Sequence, residues 1–136
     1  MPLLFGGGNT RLLRWAAKHA DLIGLSGLGR TLPDGHMHEA RYHPDQVDAQ
    51  VELTGGTPVE VLVQCLEITD DAGARYAEWA EPAGISEAEV ALTPYVLAGT
   101  ESELRAKLDE NARRWGITRY AVRRPGFDAA ALLLAA

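Results

Sequence analysis

The chain has 136 residues, which is enough for one domain of ordinary size. A hydrophobic fraction of 46% and a charged fraction of 24% are typical of a folded globular domain, and they argue against a disordered chain. The net charge of −6, with scattered arginines and only two lysines, argues against a nucleic-acid partner. The single cysteine, Cys65, excludes a framework of intrachain disulfides. With no signal-peptide pattern and no apolar run long enough to cross a membrane, we expect a cytoplasmic protein.

The first predicted element is a short buried strand over residues 3–5, followed at once by three glycines at positions 6–8. A helix is predicted over residues 10–20, with Asn9 as its N-cap. Glycines let a ligand approach the backbone closely, and the first amides of a helix lack internal partners at the positive end of the helix dipole. The pattern therefore predicts an anion site, with a tight strand-to-helix turn that binds nothing as the alternative.

The next apolar run, residues 21–25, completes a strand–helix–strand unit, which implies parallel strands and a right-handed crossover. Residues 26–44 contain three glycines and two prolines and are predicted to form a long loop. A short helix is predicted over residues 45–53, ended by the turn sequence at 54–58. Residues 59–68 have the clearest strand pattern of the chain, because they are apolar, rich in β-branched residues and bounded by turns.

The rest of the chain is predicted to be mainly helical. A helix is predicted from residue 69 to about residue 81, and capping boxes begin at Ser86 and Thr100. The helix over 101–115 has an acidic first turn, a basic last turn and a glycine after it. Gly99 and Thr100 form a second glycine-to-helix turn, for which a structural role is favoured over anion binding. A strand over 117–122 and a last helix starting near residue 129 complete a single α/β domain covering residues 1–136.

Side chains of the types that bind metals are concentrated in the predicted loop, at Asp34, His36, His38, Glu39 and His43. Imidazole and carboxylate groups suit zinc or iron, but a glycine-rich loop lacks the rigid frame that a metal site needs. We therefore expect a solvated loop or a substrate lid, and no metal. Arg30 and Arg41 in the same loop have the chemistry to bind a phosphate or polyglutamate tail, and surface solvation is the favoured alternative.

Four segments of the chain share their order and spacing with a known family. They are PLLFGGG with LLRWAA and ADLIGL at 2–25, VLV with ITDD at 61–71, PYVLAGT with Leu104 and Leu108 at 94–108, and WGITRY at 115–120. Together they resemble the luciferase-like monooxygenase family, and within it the branch that uses the deazaflavin coenzyme F420. The shortened helix after residue 45 and the turn at 54–58 depart from the family's pattern.

The resemblance implies parallel βα units of a TIM-type (β/α)8 barrel, and specifically its C-terminal half, since a complete barrel needs roughly 250 residues. It implies an oxidoreductase that acts on a small-molecule substrate and binds a reduced F420, or alternatively FMN, by its phosphate. No catalytic residue is assigned, because the family's residues around the reactive ring come mostly from strands that would precede Met1. The cofactor contacts that the resemblance implies are Gly6, Gly7, Gly8, Asn9 and Thr10.

A half-barrel leaves sheet edges and an apolar face uncovered, so we expect a homo-oligomer or pairing with a missing N-terminal half. One alternative is a non-catalytic half-barrel module that dimerises. Another is a free-standing α/β domain that binds some other phosphate.

Overall fold

The computed structural model describes residues 2–134 and shows an α/β fold. Its strands are β1 (Leu4–Gly6), β2 (Leu22–Leu25), β3 (Leu28–Thr31), β4 (His38–Ala40), β5 (Val59–Val63), β6 (Cys65–Ile68), β7 (Val96–Gly99) and β8 (Arg119–Val122). Its helices are α1 (Thr10–His19), α2 (Pro44–Leu53), α3 (Ala72–Ala83), α4 (Glu87–Leu92), α5 (Glu101–Trp115) and α6 (Phe127–Leu134), with a 3-10 turn at Arg124–Gly126.

A parallel sheet in the order β1-β2-β5-β8 lies at the centre of the fold. The chain continues past β5 into β6, which pairs in parallel with β7, while β3 and β4 form an antiparallel hairpin. Consecutive strands of a complete α/β barrel are neighbours. Here the order is sequential for β1, β2 and β5, whereas β8 pairs directly with β5 and β7 does not lie between them.

One face of the central sheet is covered and the other is open. Alternate residues of a strand point to opposite faces, and those on the covered face pack with α1 and α2 in the largest buried cluster. That cluster contains Leu13, Ala16, Ile23, Leu25, Tyr42, Val47, Val59, Val61, Tyr95, Trp115 and Ile117. Leu4, Leu22, Leu62 and Ala121 point the other way, outside the buried clusters of residues 2–134.

The predicted helix starts are confirmed where the capping signal is local. The Oδ1 atom of Asn9 accepts hydrogen bonds from the amides of Arg11 and Leu12 at 2.9 and 3.4 Å. Thr100 and Glu103 form the reciprocal capping box that begins α5. These bonds satisfy amides that would otherwise lack partners at the two helix N-termini.

Two predictions, one of a loop and one of a strand, are corrected. The stretch predicted as a loop, residues 26–44, contains the β3–β4 hairpin. The single strand predicted over 59–68 is divided at Gln64, because the amides of Gln64 and Cys65 both reach the carbonyl of Tyr95, at 2.8 and 3.3 Å. Before Gln64, β5 pairs with β8, and after Gln64 its continuation β6 pairs with β7. β7, which the sequence did not predict, is buried throughout.

Several element boundaries also differ from prediction. α2 begins at Pro44, because the side chain of His43 caps it together with Gln46. α3 extends through Pro82 to Ala83 and ends at Gly84, whose φ of 69° is left-handed. The last helix starts at Phe127, two residues earlier than predicted.

Candidate anion site at the first glycine turn

The turn between β1 and α1 borders a cleft of about 560 Å³. The turn contributes Gly7, Gly8 and Asn9 to the wall, and the hairpin opposite contributes Gly29, Arg30, His38 and Arg41. Because β1 and β2 are parallel, the turn lies at their carboxyl ends, where α/β proteins build their ligand sites. The structure thus brings predicted cofactor contacts together with two arginines from a segment that was predicted to be a loop.

Some amides of the turn have protein acceptors, and others have none among residues 2–134; Gly8 and Asn9 line the cleft, whereas the predicted contact Thr10 does not. The amide of Gly7 donates to the carbonyl of Gly24 at 3.2 Å, so the N–H of this predicted contact is already used. The amides of Arg11 and Leu12 are taken by the Asn9 side chain. Among residues 2–134, no acceptor is found for the amides of Gly8, Asn9 and Thr10. Gly6, the remaining predicted contact, lies in an adjacent cleft.

Two later segments hold the turn in its conformation. The carbonyl of Gly8 accepts hydrogen bonds from Nη1 of Arg41 at 3.0 Å and from Nε2 of Gln50 at 3.2 Å. The peptide unit is planar and trans, so fixing the Gly8 carbonyl also directs the Asn9 N–H away from Arg41 and Gln50. The hairpin and α2 therefore preorganise the backbone of the turn.

Arg41 depends on a glycine in β3 for its position. A Cβ atom at Gly29 would lie 2.6 Å from Nε of Arg41, closer than side chains tolerate. The guanidinium therefore lies directly over the backbone of β3. Apart from the Nη1 bond to Gly8, no acceptor for this guanidinium is found within residues 2–134. It retains donors for a ligand in the cleft.

The cleft is electrostatically suited to an anion. In the described part of the chain, residues 2–134, its wall carries Arg30, Arg41 and His38 and no carboxylate, and the first turn of α1 contains no acidic residue. Arg30 forms a 3.0 Å ion pair with Glu39, but its side chain is 80% exposed. A cation-lined cleft at a helix N-terminus attracts phosphate through both the helix dipole and charge-assisted hydrogen bonds.

The other residues of metal-binding type in this segment are dispersed. His43 caps α2 and pairs with Glu89, while the Asp34 carboxylate accepts the amides of His36 and Met37. Those two backbone hydrogen bonds hold the pKa of Asp34 below its usual value. Within residues 2–134, no group of three or more His, Cys, Asp or Glu side chains is arranged to hold a metal ion.

The second glycine turn, at Gly99 and Thr100, is closed by its own helix. A Cβ at Gly99 would lie 3.2 Å from Cβ of Glu103, whose carboxylate accepts the amide of Thr100. One turn further along α5, Nζ of Lys107 donates to the carbonyl of Val96 at 2.6 Å. Burial lowers the pKa of Lys107 to about 7.

Neither a scan against protein-family models nor a search of curated proteins found a match to this chain. In residues 2–134, no helix combines the length and apolar character that crossing a bilayer requires. The function proposed below is therefore supported by the cleft and by the sequence resemblance alone.

Proposed function

We propose that the cleft between the first glycine turn and the hairpin binds the phosphate of coenzyme F420, with FMN as the alternative cofactor. The observation that carries this proposal is one cleft lined both by Gly8, whose amide has no acceptor among residues 2–134, and by the Arg41 guanidinium. Backbone amides at a helix N-terminus and a guanidinium are the groups that bind phosphate oxygens best. When bound, such a cofactor supplies hydride chemistry, and the role of this chain is to position it.

The sequence resemblance extends the proposal to an oxidoreductase of the luciferase-like type. In its favour, β1, β2 and β5 are parallel and neighbours in sequential order, as in half of a barrel, and the cleft lies at their carboxyl ends. The direct pairing of β8 with β5 is the feature that this barrel proposal must accommodate. The single cysteine supports a cytoplasmic location as part of the same proposal.

The test is a fluorescence titration of the protein with F420 and with FMN. Arg41→Ala is expected to weaken binding by about tenfold to a hundredfold, the value of a charge-assisted hydrogen bond. Gly29→Ala is expected to act in the same direction, because the new Cβ displaces the Arg41 side chain. The matched control is Arg113→Ala, which removes an exposed arginine on α5 that pairs with Glu110. Absence of binding by the parent protein, or equal losses in Arg41→Ala and the control, would overturn the proposal.

A second candidate, a module that dimerises without catalysis, is favoured by the exposed edge of the sheet. β1 is an edge strand; Leu4 on its open face is 57% exposed, and Leu12 and Trp15 on the neighbouring helix α1 are 47% and 46% exposed. Open edges and contiguous apolar surface are typical of protein interfaces. On this proposal, light scattering finds a homodimer that Trp15→Glu converts to a monomer, while the control Leu92→Glu leaves it intact. A parent protein that is monomeric at high concentration contradicts this candidate.

A further inference from the structure

A separate cleft of about 330 Å³ lies at the corner where β5 passes into β6. Its wall contains Val63 of β5 and Val122 of β8, which are register partners on the covered face of the central sheet. Helix α3 contributes Trp79, and the 3-10 turn contributes Pro125. Within residues 2–134, this cleft shares no wall residue with the cleft at the first glycine turn. It is therefore a distinct candidate site, independent of the proposed function.

The charged side chains of this wall form two units of opposite sign. In the described part of the chain, residues 2–134, they are Glu67, Arg75, Glu78 and Arg123. Nε of Arg75 lies 3.1 Å from Oε2 of Glu67, and Nη1 of Arg75 pairs with Glu78. One guanidinium thus balances only one of the two carboxylates. Glu67, Arg75 and Glu78, the acidic trio, therefore keep one net negative charge.

Arg123 supplies the positive unit. It comes directly after the β5–β8 ladder, so it lies beside Gln64, which follows β5. No carboxylate within residues 2–134 pairs with its guanidinium. Gln64 and Glu67 are three positions apart in the chain, a span of at most roughly 10 Å. Arg123 and the acidic trio are therefore within reach of one small ligand.

We propose that this cleft binds a free α-amino acid with an apolar or aromatic side chain. The Arg123 guanidinium donates hydrogen bonds to the carboxylate of the ligand, and Glu67 of the acidic trio accepts from its ammonium group. The side chain of the ligand packs against Trp79 and Val63. A ligand with a single charge leaves one of the two units unmatched, whereas a dipolar ligand matches both. A volume of about 330 Å³ is at the lower end of the range for small-molecule pockets, which suits a ligand of this size.

The single cysteine of the chain reports occupancy, because Cys65 lines the same cleft. A bound ligand is expected to slow the alkylation of Cys65 by iodoacetamide. The probes are phenylalanine, 3-phenylpropanoate, which lacks the ammonium group, and 2-phenylethylamine, which lacks the carboxylate. Phenylalanine is expected to protect Cys65 at a concentration at least about tenfold lower than either analogue needs, because each analogue loses one charge-assisted contact.

Two variants assign the two contacts. Arg123→Ala is expected to remove the advantage of phenylalanine over 2-phenylethylamine, and Glu67→Gln its advantage over 3-phenylpropanoate. The matched control is Arg124→Ala, which removes the neighbouring exposed arginine and leaves the described cleft wall intact. Arg123 and Glu67 are both exposed, so their variants are expected to melt at the temperature of the parent.

The three probes test the proposal on the parent protein without any variant. Equal protection by phenylalanine and 3-phenylpropanoate would make the cleft a simple anion site and would overturn the amino-acid assignment. No protection by phenylalanine at millimolar concentration, or equal effects of Arg123→Ala and Arg124→Ala, would overturn it as well. Saturating phenylalanine is expected to leave FMN binding unchanged, so failure of either site leaves the other standing.

Discussion

Two glycine turns in this chain lead from parallel strands into capped helices. They have the same sequence of elements, but the charge of the first helical turn differs between them. After β7, Glu103 returns its carboxylate to the amide of Thr100, and Glu101 adds a second negative charge to the first turn of α5. After β1, Asn9 caps α1 with a neutral amide, and the first turn contains no acid. A helix start that carries its own carboxylates repels an anion, whereas one capped by a neutral side chain still attracts it.

The two turns also differ in the cation beside them. Arg41 reaches the first turn from the hairpin, and its Nη1 atom donates to the Gly8 carbonyl. Near the second turn, Lys107 of α5 donates to the carbonyl of Val96 at the start of β7, and burial lowers its pKa to about 7. The comparison teaches that glycine followed by a helix does not by itself define an anion site. On the proposed function, the charge of the first helical turn and a cation supplied from another segment distinguish the first glycine turn from the second.

The largest expected effect is on the free energy of unfolding, and it tests whether α1 and α5 are packed equally tightly. Leu13 in α1 and Leu104 in α5 are 0% and 1% exposed. Leu13→Ala and Leu104→Ala are each expected to lower the free energy of unfolding by about 2–5 kcal/mol, through lost burial and the cavity left behind. Urea denaturation measures both, with the exposed Leu132→Ala as control. A loss confined to one helix would mean that packing, rather than turn chemistry, separates the two regions.

The second effect concerns the charge of Lys107. Burial lowers its pKa from 10.5 to about 7 in the folded chain, so between these pH values the unfolded chain binds a proton that the folded chain does not. The free energy of unfolding is therefore expected to rise with pH from about 7 to about 10, and Lys107→Met is expected to lack this rise. Denaturant titrations at several pH values measure the difference, with the exposed Lys18→Met as control. If the free energy of unfolding depends on pH in the same way in the parent and in Lys107→Met, burial does not lower the pKa of this lysine.

A third, smaller effect distinguishes the caps. Asn9→Ala and Thr100→Ala are each expected to cost about 1 kcal/mol, the usual value of an N-cap side chain. Millimolar phosphate is expected to restore stability to Asn9→Ala only, because Glu101 and Glu103 repel an anion from the start of α5. Thermal melts in phosphate and in chloride of equal ionic strength measure the rescue. Equal rescue of both variants would erase the distinction between the turns.

The smallest expected effect comes from one exposed ion pair near each turn. Arg30 pairs with Glu39, and Arg105 pairs with Glu101. Arg30→Ala and Arg105→Ala are each expected to change stability by less than about 0.5 kcal/mol, because water screens exposed pairs. Only Arg30→Ala is expected to weaken FMN binding as well, by about twofold to fivefold. Equal binding by the two variants would remove Arg30 from the site.

Local signals allowed much of the fold to be predicted. Asn9, the Thr100–Glu103 box and Gly116 each act within a few residues, and the structure places the ends of α1 and α5 accordingly. The hairpin was missed because its glycines and proline resemble a loop. Asp34 followed by Gly35 is nevertheless a hairpin signal, and using it would have paired Arg30 with Glu39 across the two strands.

Long-range contacts could not be predicted from the sequence. β7 is only four residues long and buried throughout, so it lacks the alternation that marks a strand. Gln50 lies on a predicted helix with nothing in its neighbourhood to indicate a bond to Gly8. Arg41 was considered for phosphate from its chemistry, with surface solvation favoured, but its position over Gly29 follows from hairpin pairing, which tertiary structure alone fixes.

The two hydrogen bonds to the Gly8 carbonyl determine when the glycine turn can become ordered during protein synthesis. Its donors lie 33 and 42 positions further along the chain. While the ribosome is still extending the protein, β1 and α1 emerge first, but the loop between them has nothing to hold it. Only after Gln50 has left the exit tunnel can the nascent chain form both hydrogen bonds that fix the glycine turn.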